Sequence, residues 1–148
     1  MAIPSRLIAG LSALFLMGAV ALAQQSSGVV HVPAAKAAEI MQKGGQVAAS
    51  PDATISFNRR TGPGQSEIHD KETDTFYVLE GEATFVTGGK MVGGKTTAPN
   101  QTRGTGIEGG QTMQLKKGDV VMVPAGTPHW FKAVPKSVVY YTVKALKP

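Results

Sequence analysis

Short runs of apolar and polar residues in alternation dominate the chain after its first thirty positions. Eight of these runs are four to six residues long and rich in β-branched or aromatic side chains: 54–57, 65–69, 75–79, 83–87, 112–115, 120–123, 129–133 and 138–143. Glycine or proline separates most of them. Regularly spaced short strands of this kind are typical of a double-sheet sandwich or barrel, so the pattern predicts an all-β domain.

A short N-terminal helix and two turns are predicted around these strands. Residues 29–32 have the composition of a short strand, and Pro33 then opens a weakly amphipathic helix that the glycine pair 44–45 ends. The glycine within 79–83 predicts a tight hairpin, and 116–119 predicts a second turn of the same kind. The helix is therefore expected to precede an otherwise continuous series of strands.

The segment 88–110 breaks this regular spacing. It contains eight glycines together with Pro99 and several threonines, which is too glycine-rich to predict strands. We interpret it as a long insertion between the two halves of the domain. Its composition fits equally a mobile lid over a barrel mouth and a hairpin at a subunit contact.

The first residues have the pattern of an export signal. One basic residue, Arg6, lies before the nearly unbroken apolar run 7–22, and Ala-Leu-Ala at 21–23 has the small-x-small form of a signal-peptidase site. We expect 1–23 to be a cleaved signal peptide and 24–148 to be a single domain, periplasmic or secreted, with no membrane attachment after cleavage. A retained anchor is the alternative, although the apolar run is short for a membrane span.

Composition limits what the exported domain can do. A mature chain of about 125 residues is long enough for one domain with a hydrophobic core and too short for two. The sequence contains no cysteine, which excludes disulfides, thiolate ligands and a cysteine nucleophile. The formal net charge is +5, or +4 once Arg6 is removed with the signal, but the lysines are scattered without interleaved aromatic residues, so we expect a solvated basic surface and no nucleic-acid binding.

Two segments place metal-competent side chains beside strand sequence. The first has the spacing E-x-H-x4-D-x6-G, formed by Glu67, His69, Asp74 and Gly81. The second has the spacing G-x5-P-x-G-x2-H, formed by Gly118, Pro124, Gly126 and His129. Residues two apart on a strand share a face, so Glu67 and His69 project together. Imidazole nitrogens and carboxylate oxygens suit a divalent ion such as Mn(II), Fe(II), Ni(II) or Zn(II).

These two segments resemble motifs 1 and 2 of the cupins. The resemblance covers 67–131 and implies a double-stranded β-helix, or jelly-roll, barrel that is commonly a homodimer. It also implies one metal held by two histidines and a glutamate of motif 1 and by the histidine of motif 2. With Gly81 as the anchor, the glutamate position is Asp74 and the two histidine positions are Glu67 and His69. The implied metal ligands are Glu67, His69, Asp74 and His129.

Two of these ligands differ from the family's residue types, which leaves the ligand set open. Asp74 is one methylene shorter than glutamate, and Glu72, two residues earlier, could replace it. Glu67 could bind the metal or act as a proton-transfer base. Taken separately, His69 and His129 could be ordinary polar residues at strand ends. A pocket without a metal is therefore the alternative to a metal centre.

Two functions of different classes fit these residues. The first is a metal-dependent enzyme that acts on a small organic molecule by dioxygenase, isomerase, lyase or hydrolase chemistry. In that case the ion polarises an oxygen of the substrate, and Glu67 or Glu72 moves a proton. The second is a small-molecule binding protein without catalysis. Expected partners are a small-molecule ligand or substrate and, in a homodimer, a second copy of the chain.

Overall fold

The computed structural model describes residues 28–147, and most of them lie in strands. A single helix, α1 (Ala34–Lys43), precedes twelve strands in the described part of the chain. The strands are β1 (Gly45–Ala49), β2 (Ala53–Arg60), β3 (Ser66–His69), β4 (Glu72–Thr87), β5 (Lys90–Val92), β6 (Lys95–Ala98), β7 (Gln101–Gly104), β8 (Gly106–Glu108), β9 (Gln111–Lys116), β10 (Val120–Val123), β11 (His129–Ala133) and β12 (Val138–Leu146). The predicted all-β class with one short helix is confirmed.

Ten strands form one antiparallel sheet that curls around the core. Its order is β1-β2-β12-β4-β11-β3-β7-β6, and β9 and β10 also pair with β4. Strands β5 and β8 form a separate two-stranded ladder. The long strand β4 belongs to both halves of the curl, because residues 72–81 pair with β12 and residues 82–87 pair with β9.

Gly81 bends strand β4 instead of closing a hairpin. The hairpin predicted at 79–83 is wrong, since the chain continues as one strand from Glu72 to Thr87. Gly81 has a φ of 75°, and a side chain at this position would collide with the carbonyl group of Ser137. The register with β12 also shifts beside it. A left-handed glycine thus lets one strand turn from one half of the barrel into the other.

The glycine-rich segment 88–110 contains strands, contrary to the sequence-based expectation. It forms β5 to β8, and several of its glycines have positive φ in the turns that flank these strands, namely Gly88, Gly89, Gly93 and Gly109. The glycine content therefore reflects tight turns and not a lack of strands. Because β7 pairs along its whole length with β3, this part of the segment belongs to the wall of the barrel and is not a mobile lid.

At the N-terminal end of the described residues, the predicted helix is present and the predicted short strand is not. The helix begins after Pro33 and ends before Gly44, as predicted. Residues 29–32 form no strand, and Val29 is fully exposed. The predicted signal peptide, 1–23, lies outside the described residues. Among those that are described, no helix combines the length and hydropathy needed to span a membrane.

An aromatic cluster fills the closed part of the barrel and ends at two buried histidines. Phe76, Phe85, Phe131 and Tyr140 are at most 4% exposed. Neighbouring rings of the cluster have centroids 4.9–5.9 Å apart, mostly in edge-to-face or tilted arrangements that aromatic pairs prefer. The ring of His129 lies 6.3 Å from Phe76 and 6.2 Å from Phe85. The aromatic core therefore lies directly beneath the polar site and closes the inner end of the pocket.

Candidate metal centre

Three strands bring the five predicted site residues into one pocket. Glu67 and His69 lie on β3, Glu72 and Asp74 on β4, and His129 is the first residue of β11. In the ladder between β11 and β3, His129 is directly opposite Glu67. His69, Asp74 and His129 are buried, whereas Glu67 and Glu72 are partly exposed. All five line a pocket with a volume of about 410 Å³.

The two histidines present ring nitrogens to the same two carboxylate oxygens. Nε2 of His69 lies 3.6 Å from Oε2 of Glu67 and 3.5 Å from Oδ2 of Asp74. Nε2 of His129 lies 3.9 Å and 3.8 Å from the same two oxygens. One donor atom from each of Glu67, His69 and His129 falls within 4.8 Å of the other two. Atoms bound to one ion at about 2.1 Å are roughly 3 to 4 Å apart, so a small adjustment would place these donors around a single ion.

His129 is held in the tautomer that a metal ligand requires. Its Nδ1 lies 3.1 Å from the carbonyl oxygen of Thr127, which accepts the Nδ1 hydrogen. The lone pair then remains on Nε2, the atom that faces the carboxylates. Burial lowers the pKa of His129 and outweighs the Thr127 hydrogen bond and the neighbouring carboxylates, which act in the opposite direction. The imidazole is therefore neutral at pH 7.

Glu67 and Asp74 are each bound by a basic side chain. Nη2 of Arg103 lies 3.1 Å from Oε1 of Glu67, and Nζ of Lys144 lies 2.8 Å from Oδ1 of Asp74. Burial raises the pKa of Glu67, but the His69 ring, the charge of Arg103 and the charges that the two histidines carry at low pH together outweigh burial and lower it to about 2. Glu67 is therefore ionised at pH 7, with Oε2 directed to the histidines.

Glu72 lies behind His69 and not between the two histidines. Its Oε2 is 3.7 Å from Nδ1 of His69 and 3.1 Å from Nζ of Lys144. His69 thus has one ring nitrogen toward Glu72 and the other toward Glu67 and Asp74. A carboxylate behind a metal-binding imidazole orients the ring and makes it a better donor. Glu72, Asp74 and His69 also have donor atoms within 4.8 Å of one another, so the geometry keeps Glu72 available as a substitute ligand.

Several pocket residues lie outside both motifs and were not predicted from the sequence. They are the inward-facing side chains of β2, β7 and β12: Ser56, Asn58, Arg60, Gln101, Arg103, Tyr140, Thr142 and Lys144. Arg103 is opposite Glu67 in the ladder of β3 and β7, within the segment where no strand was expected. On β2 the alternate positions are Ile55 and Phe57, so the apolar residues of this strand face away from the pocket.

Comparison with known families identifies the fold. The family model described as Cupin matches residues 53–147, which is more than half of the chain. The protein belongs to the cupin family. The predicted double-stranded β-helix barrel is confirmed by this match and by the curled antiparallel sheet. The match begins at β2 and ends after β12, so all five predicted site residues lie within the cupin region.

Solved structures share this cupin's fold at low sequence identity. BH2720 from Bacillus halodurans has a TM-score of 0.57 and 13% identity, over 84% of this chain and 86% of that one. The cupin domain of Cnp3 from Schizosaccharomyces pombe has a TM-score of 0.52 and 14% identity, over 70% and 64% of the two chains. No curated protein matches the chain in sequence. Similarity at this level shows the fold alone.

Proposed function

We propose that this cupin binds one divalent metal ion through Glu67, His69 and His129, with Asp74 as a weaker fourth ligand, and acts on a small organic molecule in the same pocket. The observation that carries the proposal is the convergence of both Nε2 atoms on Oε2 of Glu67 and Oδ2 of Asp74, at 3.5–3.9 Å. Nitrogen and carboxylate oxygen donors suit Mn(II), Fe(II), Ni(II) or Zn(II).

The charge of the site fits a cation. Three carboxylates, Glu67, Glu72 and Asp74, are bonded to only two basic side chains, Arg103 and Lys144. These three carboxylates and two basic side chains together keep a net negative charge, which attracts a divalent ion. Asp74 ranks below Glu67 as a ligand because Lys144 bonds both of its oxygens, at 2.8 and 3.0 Å.

The chain's own residues would orient the substrate and move a proton. A divalent ion in this site would supply a Lewis acid that polarises a substrate oxygen. Glu72 lies at the more exposed edge of the pocket and can accept a proton from a bound molecule; Glu67 takes this role only if it does not bind the metal. Phe76 and Phe131 form an apolar floor that limits water around the reacting atoms. Proton movement beside a polarised oxygen is common to isomerase, lyase and hydrolase reactions.

A binding protein without metal or catalysis is the second candidate. Lys144 and Arg103 favour it, because they already supply positive charge to Asp74 and Glu67. In that case the carboxylates form a satisfied ion-pair group, and the pocket is a receptor for a polar ligand. The two candidates differ in one measurable property, which is whether the purified protein contains a stoichiometric metal.

Elemental analysis of protein purified from an exporting host tests the proposal. We expect about one equivalent of a divalent metal per chain, and loss of that metal in His69→Ala and His129→Ala. His31→Ala is the matched control, because His31 is an exposed histidine outside the pocket. Wild-type protein without metal, both as purified and after dialysis against Mn(II), Ni(II) or Zn(II), would favour the receptor.

We also propose that the protein is exported and acts as a homodimer. The pattern at 1–23 supports export, and mass spectrometry of the exported chain should show a start at or near Gln24. An intact Met1 terminus in the soluble fraction would contradict this. Exposed apolar side chains on the outer face of the barrel support the dimer, since Tyr77, Val120 and Met122 are 46%, 66% and 67% exposed.

A further inference from the structure

Arg60 is a charged pocket residue that the proposed metal chemistry does not use. It lies at the end of β2, is partly buried, and lines the same pocket as the histidines. Arg103 and Lys144 are each paired with a carboxylate. For Arg60, in contrast, no carboxylate oxygen within residues 28–147 lies closer than 4.0 Å. Its positive charge is therefore not neutralised by the described part of the protein.

The surroundings of Arg60 fix the orientation of its guanidinium group. Nε donates a hydrogen bond of 2.9 Å to the hydroxyl oxygen of Tyr140, and Cζ lies 4.9 Å above the centre of the Phe131 ring. The two terminal nitrogens have no hydrogen-bond acceptor in the part of the chain that the structure describes. An arginine that is stacked and held at Nε presents its two terminal N–H groups as a rigid fork.

Gly64 covers this guanidinium and leaves no room for a side chain. A Cβ at Gly64 would lie 2.6 Å from Nη1 of Arg60. Gly64 is itself held in place, because its N–H donates to the Phe131 carbonyl at 2.9 Å and its carbonyl accepts from Nε1 of Trp130 at 2.7 Å. Arg60 therefore lies in a slot formed by Gly64, Phe131 and Tyr140.

The wall next to Arg60 is polar, which suits a ligand with several oxygen atoms. Nδ2 of Asn58 donates to the hydroxyl groups of Ser56 and Thr142, at 3.1 and 2.9 Å. All three residues line the pocket together with Arg60. The pocket thus has a group of carboxylates around the histidines and an unpaired cation elsewhere on its wall. In the metal-free pocket an anionic group of a ligand is repelled by the carboxylates, and with or without a metal it is attracted to Arg60.

We infer that Arg60 binds the carboxylate of a small organic acid, through two parallel hydrogen bonds from Nη1 and Nη2. This assigns the substrate class of the pocket and rests on the proposed function in placing the substrate there. The planar fork of an arginine matches the two oxygens of a carboxylate in direction and spacing. A carboxylate fits better than a phosphate group, because a single unpaired guanidinium balances one negative charge and not two.

Calorimetric titration of the mature chain with small acids tests this inference. The probes are acetate, lactate, malonate and succinate, with the neutral lactamide and inorganic phosphate as comparisons, each titrated into metal-free and Zn(II)-loaded protein. We expect at least one carboxylate to bind, lactamide not to bind, and Arg60→Gln to weaken carboxylate binding at least tenfold. Arg59→Gln is the matched control, because Arg59 is the preceding residue of β2 and is exposed on the opposite face.

Two further variants separate loss of the slot from loss of the fold. Gly64→Ala keeps the charge of Arg60 but displaces Nη1, so it should weaken carboxylate binding while metal content stays at the wild-type level. Arg60→Lys keeps the charge without the fork and should bind more weakly than wild type. If Arg60→Gln loses the circular dichroism signal of the folded barrel, carboxylate binding by Gly64→Ala and Arg60→Lys tests the inference in its place.

Metal content distinguishes this inference from the proposed function. Carboxylate binding that depends on Arg60 in a protein that takes up no metal would support the inference and contradict the proposed function. Metal binding by a protein that binds none of the four acids would overturn the inference alone. Carboxylate binding that is unchanged in Arg60→Gln or in both other variants would also overturn it, as would tighter binding of phosphate than of any carboxylate.

Discussion

Lys144 donates hydrogen bonds to both oxygens of Asp74, at 2.8 and 3.0 Å, across the ladder between β12 and β4. Asp74 is buried and also lies 3.5 Å from His69 and 3.8 Å from His129. An ammonium group and a metal ion therefore compete for the same carboxylate. The balance between them decides whether Asp74 is a metal ligand or half of an ion pair.

Replacing Lys144 with methionine should strengthen metal binding. Removing the ammonium frees Asp74 and leaves the site more negative, so we expect an increase in Zn(II) affinity of about tenfold, or roughly 1.4 kcal/mol. The metal-free variant should lose on the order of 1–3 kcal/mol of stability, because a buried carboxylate is left unpaired. Calorimetric titration and urea unfolding measure the two effects. Lys117→Met is the control at an exposed turn, and a weaker metal affinity in Lys144→Met would show that Lys144 supports the site.

Replacing Glu67 with glutamine should weaken metal binding. The pKa of Glu67 is lowered to about 2, so the wild-type residue is an ionised ligand at pH 7, whereas an amide is a neutral and poorer donor. We expect an affinity at least tenfold lower, with Glu82→Gln as the control at an exposed position of β4, outside the pocket. Unchanged metal affinity together with lost turnover would instead make Glu67 the proton-transfer base.

The metal-free protein should become less stable as the pH falls from 7.5 to 5.5. The pKa of His129 is lowered by burial in the folded state, so over this range the unfolded chain, with a histidine pKa of about 6.5, binds more protons. The free energy of unfolding therefore rises with pH. In urea unfolding, the free energy of unfolding of His129→Gln should depend less steeply on pH than that of wild type. The control His31→Gln should show the wild-type dependence. Equal slopes for wild type and His129→Gln would contradict this assignment.

A charge on the outer face of β10 should dissociate the proposed dimer. Val120 and Met122 are exposed there, and Val120 is opposite the exposed Tyr77 in the ladder with β4. Burying a glutamate side chain in an apolar contact is unfavourable, so Val120→Glu and Met122→Glu should be monomeric where wild type is dimeric. Light scattering after size-exclusion chromatography gives the mass, with Lys117→Glu as the control. A monomeric wild type at micromolar concentration would contradict the dimer.

The barrel could be predicted from the sequence because each strand and turn is encoded by neighbouring residues. The strands at 120–123 and 129–133 coincide with β10 and β11, since each is bounded by a glycine or proline turn. The spacing of the two motifs selected four polar side chains, and Glu72 was added as a nearby substitute for Asp74; all five line one pocket. The error at Gly81 has a simple cause, because a positive φ is common to a hairpin turn and to a bent strand.

The basic residues of the pocket, Arg60, Arg103 and Lys144, could not be predicted, because the pairing of distant strands brings them to the site. Arg60 and Lys144 lie on strands whose other face carries apolar residues such as Phe57 and Val143. The usual rule puts the apolar face of a strand inward, and here the polar face lines the pocket. Arg103 reaches the site only through the pairing of β7 with β3, in a segment whose glycines obscured its strands.

Anomalous diffraction from crystals of the Zn(II)-loaded protein locates the metal and identifies its ligands. We expect one peak in the pocket, at about 2.0–2.2 Å from Nε2 of His69, Nε2 of His129 and Oε2 of Glu67. Crystals of His129→Ala should lack that peak. A pocket without a peak in the wild-type crystals, in which Lys144 still donates to both oxygens of Asp74, would contradict the proposed metal site.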